Sequence, residues 1–239
     1  RPSLATCPVA AFRWSWPDDE TRQETPVTLL PIFLRLERRP CLVVGAGTVA
    51  LAKIESLRAA GAAITVVAPA AIPAIRQLAE ERSLAWHRRV FEPDDLSSVF
   101  LVIAATNASD VNHMVYEEAL RRNILCNAVD DPPNCDFYFG SVVSRGDLQI
   151  AISTAGESPA LAQQLRREID AQLPADLGSW LAELGELRRE VRTAAPAGEP
   201  RNLLLHELAQ RPLCSSPACP TRQFAQEQIL AMQKAEVPA

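Results

Sequence analysis

The chain has 239 residues, 48% of them hydrophobic and 22% charged, with a net charge of −5. That length suits one sizeable domain or two small ones with a real core. The negative charge argues against a nucleic-acid partner held by bulk electrostatics, and no apolar run reaches the roughly 18 residues of a membrane helix.

Residues 1–27 carry Trp14, Trp16 and an acidic run but no apolar core of signal-peptide type, and are read as a poorly ordered leader. From Pro31 to about Thr154, aliphatic runs alternate with helix-like stretches. Strands are predicted at Cys41–Val44, Ile64–Ala68, Leu84–Val90, Val99–Ala104, Ile124–Val129, Tyr138–Val143 and Leu148–Ser153. Several are aliphatic on both faces, as in a parallel sheet covered by helices on each side. A helix is predicted over Ser109–Arg122, with Val111, Val115 and Ala119 on one face and Ser109 or Asp110 as its cap. The alternation predicts an α/β fold, a Rossmann-like doubly wound parallel sheet.

Beyond Ser158 the pattern becomes helical. Ser158-Pro159 reads as an N-cap and first helical proline, opening a helix to about Gln172. Pro174 opens another, with Leu177, Trp180, Leu181, Leu184, Leu187 and Val191 at helical spacing. The stretch from Ala194 to Pro200 breaks it, and two shorter segments follow around Leu203–Leu208 and Phe224–Met232. Such stripes are packing surface, within the chain or between subunits.

The first strand turns at Gly45-Ala46-Gly47-Thr48-Val49-Ala50 into a helix that continues past Lys53. Gly45 permits a tight turn, Gly47 lets a phosphate approach the backbone, and Ala50 lets the helix lie close to the sheet. The helix N-terminus then offers N–H groups to a pyrophosphate. The same turn binding nothing is the plainer alternative, and the strand-to-helix context favours the nucleotide. The acid that usually holds the ribose is missing, since the second strand ends Val67-Ala68-Pro69-Ala70. NAD and NADP are therefore not distinguished by that strand.

The strand ending at Val129 runs into Asp130-Asp131-Pro132-Pro133. A carboxylate at the carboxyl end of such a strand suits proton transfer, although a turn residue before proline is equally common there. Asp131, directly preceding Pro132, more naturally serves the turn. Further on, Ser153-Thr154-Ala155-Gly156-Glu157-Ser158-Pro159 is a hydroxyl-rich loop able to wrap an anion, with Arg145, Arg166 and Arg167 as possible added charge. Taken singly, each arginine reads more simply as solvated. The six cysteines fit a reducing, cytoplasmic setting better than a disulfide framework. A metal site built on Cys214, Cys219 and His206 is weakly supported, for no second thiol pair matches it. No metal ligand is assigned.

Four motifs occur in order: Cys41 to Lys53; Ala104-Ala105-Thr106-Asn107 with Val111-Asn112; Cys126-Asn127-Ala128-Val129-Asp130; and Ser153 to Pro159. Together they resemble the precorrin-2 dehydrogenase / sirohydrochlorin ferrochelatase family, the N-terminal module of sirohaem synthases. The resemblance covers about Pro31 to Arg192. It implies a Rossmann domain over 28–139, a dimerisation segment over 140–172 in which paired subunits exchange elements, and a helical domain with its tail over 173–239. It implies NAD as hydride acceptor, precorrin-2 as the tetrapyrrole substrate, and sirohydrochlorin as product. Asp130 would be the acid–base residue. Gly45, Gly47, Thr48, Val49, Pro69, Ala70 and Thr106 would meet the nucleotide, while Thr154, Gly156, Ser158 and Arg145 would face the substrate. A homodimer follows, and precorrin-2 would come from a separate uroporphyrinogen methyltransferase. Some members also insert Fe2+, which the sequence does not decide. A non-catalytic NAD-sensing regulatory module is the rival from another class, and it has no use for the Asp130 and Thr154 motifs.

Overall fold

The computed structural model describes residues 29–213, 216 and 218–236. The leader expected over residues 1–27 lies outside them, as does Cys214. Residues 29–33 belong to a separate unit and form no helix or strand; everything below concerns the unit that begins at Leu34.

Five parallel strands form the centre: β1 (Pro40–Val44), β2 (Ala63–Val67), β3 (Ala85–His87), β4 (Leu101–Ala104) and β5 (Leu125–Ala128). Their spatial order is β3-β2-β1-β4-β5. Helices α1 (Thr48–Ala59), α2 (Pro73–Glu80) and α3 (Ser109–Arg122) connect them. The two-residue period of the strands divides the core. Cys41, Val43, Ile64, Val66, Leu101 and Ile103 pack with Ala50, Ile54 and Leu57 of α1 and Ile75 of α2. Leu42, Val44, Val67, Val102, Ala104, Cys126 and Ala128 pack with Val115 and Ala119 of α3. Both faces of β1 are therefore covered, which is why its sequence is aliphatic throughout. This is the doubly wound sheet that the alternation predicts. Its chain order reverses between β1 and β4, placing a crevice at the carboxyl ends of those strands.

Two expectations are corrected. The third strand is shorter than Leu84–Val90: only Ala85–His87 pairs, with Thr65–Val67. Arg89 turns out of the ladder to bind Asp95, braced by Glu92. Helix α3 is capped neither by Ser109 nor by Asp110; its N-cap is Ala108, whose side chain accepts nothing. The hydroxyl of Thr106 takes the Ala108 N–H instead, at 3.2 Å.

The hairpin β6 (Ser141–Arg145) and β7 (Leu148–Ile152) is antiparallel and separate from the main sheet. Helix α4 (Pro159–Gln172) packs on it, and Ser158 caps α4 by accepting the Leu161 N–H. Helices α5 (Leu177–Ala194), α6 (Glu199–Leu208) and α7 (Pro220–Glu236) enclose a second core of Leu187, Val191, Leu204, Leu208, Ala225 and Ile229. Gly178 lets α5 start hard against the hairpin turn, since a Cβ there would lie 2.8 Å from the Arg145 carbonyl carbon. Among the described residues no helix is long and apolar enough to cross a membrane.

Candidate functional site

The crevice is built first by the β1–α1 turn. Gly45 has φ +109°, and a Cβ on it would fall 2.3 Å from the Ala105 carbonyl oxygen. It is therefore glycine for its conformation and for the close passage of the β4–α3 loop. Gly47 differs: its φ is −91°, and an added Cβ would meet no atom within 4 Å. That open space leaves room for a ligand to approach the backbone there. Gly47, Thr48 and Val49 are exposed, and no side chain caps α1. The first N–H groups of α1 thus face outward without a side-chain acceptor, the arrangement that receives a pyrophosphate. The residues present fit a dinucleotide.

Two loops flank this turn. Beyond β2, Pro69 and Ala70 are exposed, while Trp86 donates its indole N–H to the Ala68 oxygen at 3.0 Å and fixes the strand end. Ile72 N–H bonds the Ala46 oxygen, drawing the loop toward the glycine turn. Beyond β4, Thr106 is held by the buried Asn112 of α3. Its N–H and hydroxyl both reach Asn112 Oδ1, at 3.2 and 2.7 Å, and its carbonyl accepts from Asn112 Nδ2 at 3.1 Å. The sequence reading included Asn112 in a motif without seeing this clamp.

Asp130 follows β5 in a tight turn closed by the Asp131 N–H to the Ala128 oxygen, and it takes the left-handed conformation at φ +60°. Aspartate tolerates that region better than most residues. Asp130 is exposed, and among the described residues no hydrogen bond or ion pair engages its carboxylate. Asp131, by contrast, accepts from Asn134 Nδ2 at 2.6 Å, so it serves the turn, as its place before Pro132 predicts. The chain then folds back along the edge of β5. Cys126 N–H bonds Asp136 Oδ2 at 2.9 Å, and the buried Asn127 donates to the Phe137 oxygen at 2.8 Å. This stitching is why the predicted strand Tyr138–Val143 starts only at Ser141.

Sequence reasoning did not single out Lys53, which the structure places against an aromatic ring near the crevice. It lies on α1 one turn beyond that helix's first N–H groups, with its ammonium 4.0 Å from the centroid of the Phe139 ring. Burial lowers its pKa from the ordinary lysine value, while the charges of Asp130 and Cys135 act in the opposite sense. Phe137, itself packed on the core, supports Phe139 edge-on at 5.6 Å between centroids. A signal was present: only Lys53 and Lys234 are lysines among 24 basic residues.

The thiols behave as small hydrophobes. Burial pushes Cys41 up to about 11 and Cys126 to about 12, and it raises Cys135 as well. Among the described residues no group of three or more His, Cys, Asp or Glu is arranged to hold a metal ion.

The Thr154 loop is a compact turn in which Ala155 and Gly156 both have positive φ. Thr154 Oγ1 accepts the Ser158 N–H at 3.2 Å, and Ser153 Oγ accepts the Ala155 N–H. Arg145 lies on β6, but its guanidinium is committed to α4 through Asp170, with an ion pair at 2.7 Å and a bond to the Asp170 oxygen at 3.0 Å. The β1, β2, β4 and β5 ends therefore share one crevice edge, while the Thr154 loop and Arg145 belong to the hairpin and α4.

The family profile described as "Putative NAD(P)-binding" matches residues 32–141, and that described as "Sirohaem biosynthesis protein central" matches 145–172. A siroheme synthase of Serratia proteamaculans is 44% identical over 163 residues, 68% of this chain and 34% of its own length. One of Cronobacter sakazakii is 48% identical over 159 residues, 66% and 34%. A solved structure of SirC, a precorrin-2 dehydrogenase, superposes with a TM-score of 0.69 at 27% identity, covering 85% of this chain and all of that one. Over residues 32–172 the chain is similar to the precorrin-2 dehydrogenase and sirohaem synthase family. It spans about a third of the length of the siroheme synthases it matches. Within this family the 32–141 match contains both the glycine turn and Asp130, and the 145–172 match contains the Thr154 loop.

Proposed function

We propose that the chain is an NAD-dependent precorrin-2 dehydrogenase that yields sirohydrochlorin in sirohaem biosynthesis. The observation that carries this reading is the Asp130 carboxylate, unengaged at the tip of β5, on the same crevice edge as the open space over Gly47. The oxidation removes a hydride, carrying both electrons, and a separate proton from the reduced macrocycle. NAD+, when bound, supplies the hydride acceptor. Asp130 takes the proton that leaves as conjugation extends, and returns it to water. Gly47, Thr48 and Val49 receive the pyrophosphate on the α1 N-terminus. Pro69 and Ala70 border the adenosine side, and Thr106, immobilised by Asn112, closes the opposite wall. No acid stands at the tip of β2, so backbone groups there hold the ribose.

The substrate's many carboxylates suit a hydroxyl-rich loop, and Thr154, Gly156 and Ser158 are assigned to it. Arg145 contributes there indirectly, by tying the hairpin to α4. Residues 28–139 would form the nucleotide domain, 140–172 the dimerisation segment and 173–239 the helical domain. A homodimer is supported by apolar side chains exposed on that middle segment: Val142 is 43% and Leu161 46% accessible. Uncrosslinked Cys41, Cys126 and Cys135 are in keeping with a cytoplasmic setting.

The test is an anaerobic assay of the purified chain with precorrin-2 and NAD+, followed by NADH absorbance, with Fe2+ added afterwards. NADH formation with sirohydrochlorin supports the dehydrogenase. Conversion to sirohaem faster than an enzyme-free control adds a ferrochelatase activity at the same site. NAD binding without NADH formation would instead favour a sensing module.

A further inference from the structure

We propose that Cys135 is a positioning residue for Asp130, its thiol latching the backbone turn that carries the Asp130 carboxylate. This rests on Asp130 being the base. No hydrogen bond or ion pair among the described residues holds that carboxylate, so the backbone of its own turn sets where it stands. The turn runs from Ala128 to Asp131 and is closed by one backbone bond, from the Asp131 N–H to the Ala128 oxygen at 3.2 Å. Asp130 occupies its third position with φ +60°, a place that favours glycine or asparagine. A left-handed aspartate persists there only where neighbouring contacts fix it.

Cys135 supplies those contacts. The chain folds back along β5 with Cys135 bridged to Asn127 in antiparallel register. The Cys135 Sγ then lies 3.0 Å from the Ala128 oxygen and 3.3 Å from the Asp131 oxygen, the two ends of the Asp130 turn. Its one proton is shared between these carbonyls, and the buried Asn127 donates from Nδ2 to the sulfur at 3.3 Å. Asn127 is anchored in turn by its 2.8 Å bond to the Phe137 oxygen. The sulfur is thus held from β5 on one side and grips the turn on the other. Bulk packing does not account for it. Cys41 and Cys126 belong to the two clusters that fill the sheet, whereas the half-buried Cys135 belongs to neither.

Two measurements on the full chain test the latch, the first without catalysis. The Asp130 Cα chemical shift reports its left-handed backbone directly. It should move toward extended values in Cys135→Ala, which has no donor, and return in Cys135→Ser, which keeps one. An Asp130 signal unchanged in Cys135→Ala would overturn the proposal. The second measurement is the kinetics of NADH formation from precorrin-2 and NAD+. In Cys135→Ala kcat should fall by about 10- to 100-fold, with NAD affinity unchanged and Cys135→Ser restoring most of the loss. A loss confined to KM, one accompanied by lost NAD binding, or one that Cys135→Ser fails to restore would overturn the positioning role. If the wild type forms no NADH while the Asp130 signal responds as expected, the dehydrogenase reading fails and the latch stands.

Discussion

Asn112 grips Thr106 through three hydrogen bonds, two into its Oδ1 and one from its Nδ2, and so turns the loop after β4 into a rigid wall. The Asn112 amide is removed from water there, with Asn112 only 6% exposed. Asn112→Ala would leave the Thr106 N–H and carbonyl without partners. We expect a loss of about 1–3 kcal/mol in unfolding free energy together with weaker NAD binding. Urea denaturation and calorimetric titration check the two effects separately.

The two glycines of the β1–α1 turn should separate folding from binding. Gly45→Ala places a methyl group 2.3 Å from the Ala105 oxygen at a φ of +109°, so it should destabilise the whole sheet. Gly47→Ala has open space and an ordinary φ, so thermal stability should be unchanged. NAD affinity should nonetheless fall, because the methyl group would enter the space proposed for the pyrophosphate. Melting curves and NAD titration of the two variants decide this. Equal loss of stability in both would remove the assignment of Gly47 to the cofactor.

The buried thiols predict an alkaline limb to stability. Cys41 and Cys126 are raised from 9.0 to about 11 and about 12, so the folded state keeps protons that the unfolded state sheds. Their contribution is present in full below about pH 9 and disappears as pH rises toward 11 to 12. Urea midpoints at pH 8 and pH 10 should fall less in Cys126→Ala than in the wild type. The same burial predicts that Cys41 and Cys126 resist alkylation at pH 8 in the native protein.

Arg222, only 13% exposed on α7, meets Glu183 of α5 closely and lies 3.8 and 3.5 Å from Glu186 and Glu190 of the same helix. Arg222→Met would leave Glu183 facing a partly buried site without its cation. Unfolding of the helical segment should become easier by about 1–3 kcal/mol, and circular dichroism during urea denaturation measures it.

Periodicity made most of the frame legible. Ser109–Arg122 has the bounds its amphipathic spacing predicts, because Val115 and Ala119 face a sheet on one side only. Pro40–Val44 was readable because both its faces are covered. The ends were less so. Leu84–Val90 lost its outer residues because an edge strand has one neighbour, and Arg89 found Asp95 instead. At the site, Gly45, Gly47 and Asp130 were visible as motifs. The Lys53–Phe139 contact was not, for it joins residues far apart in the chain by a ring face that no spacing rule encodes. The pairing of Arg145 with Asp170 was hidden in the same way, and it gives that arginine a packing duty that its charge alone does not reveal.

The most direct measurement compares the wild type with Asp130→Ala, anaerobically, with precorrin-2 and NAD+, recording NADH formation and NAD binding in parallel. The account predicts that NAD binds both proteins alike while turnover falls by at least about 100-fold in the variant. Turnover at the wild-type rate in Asp130→Ala would contradict it.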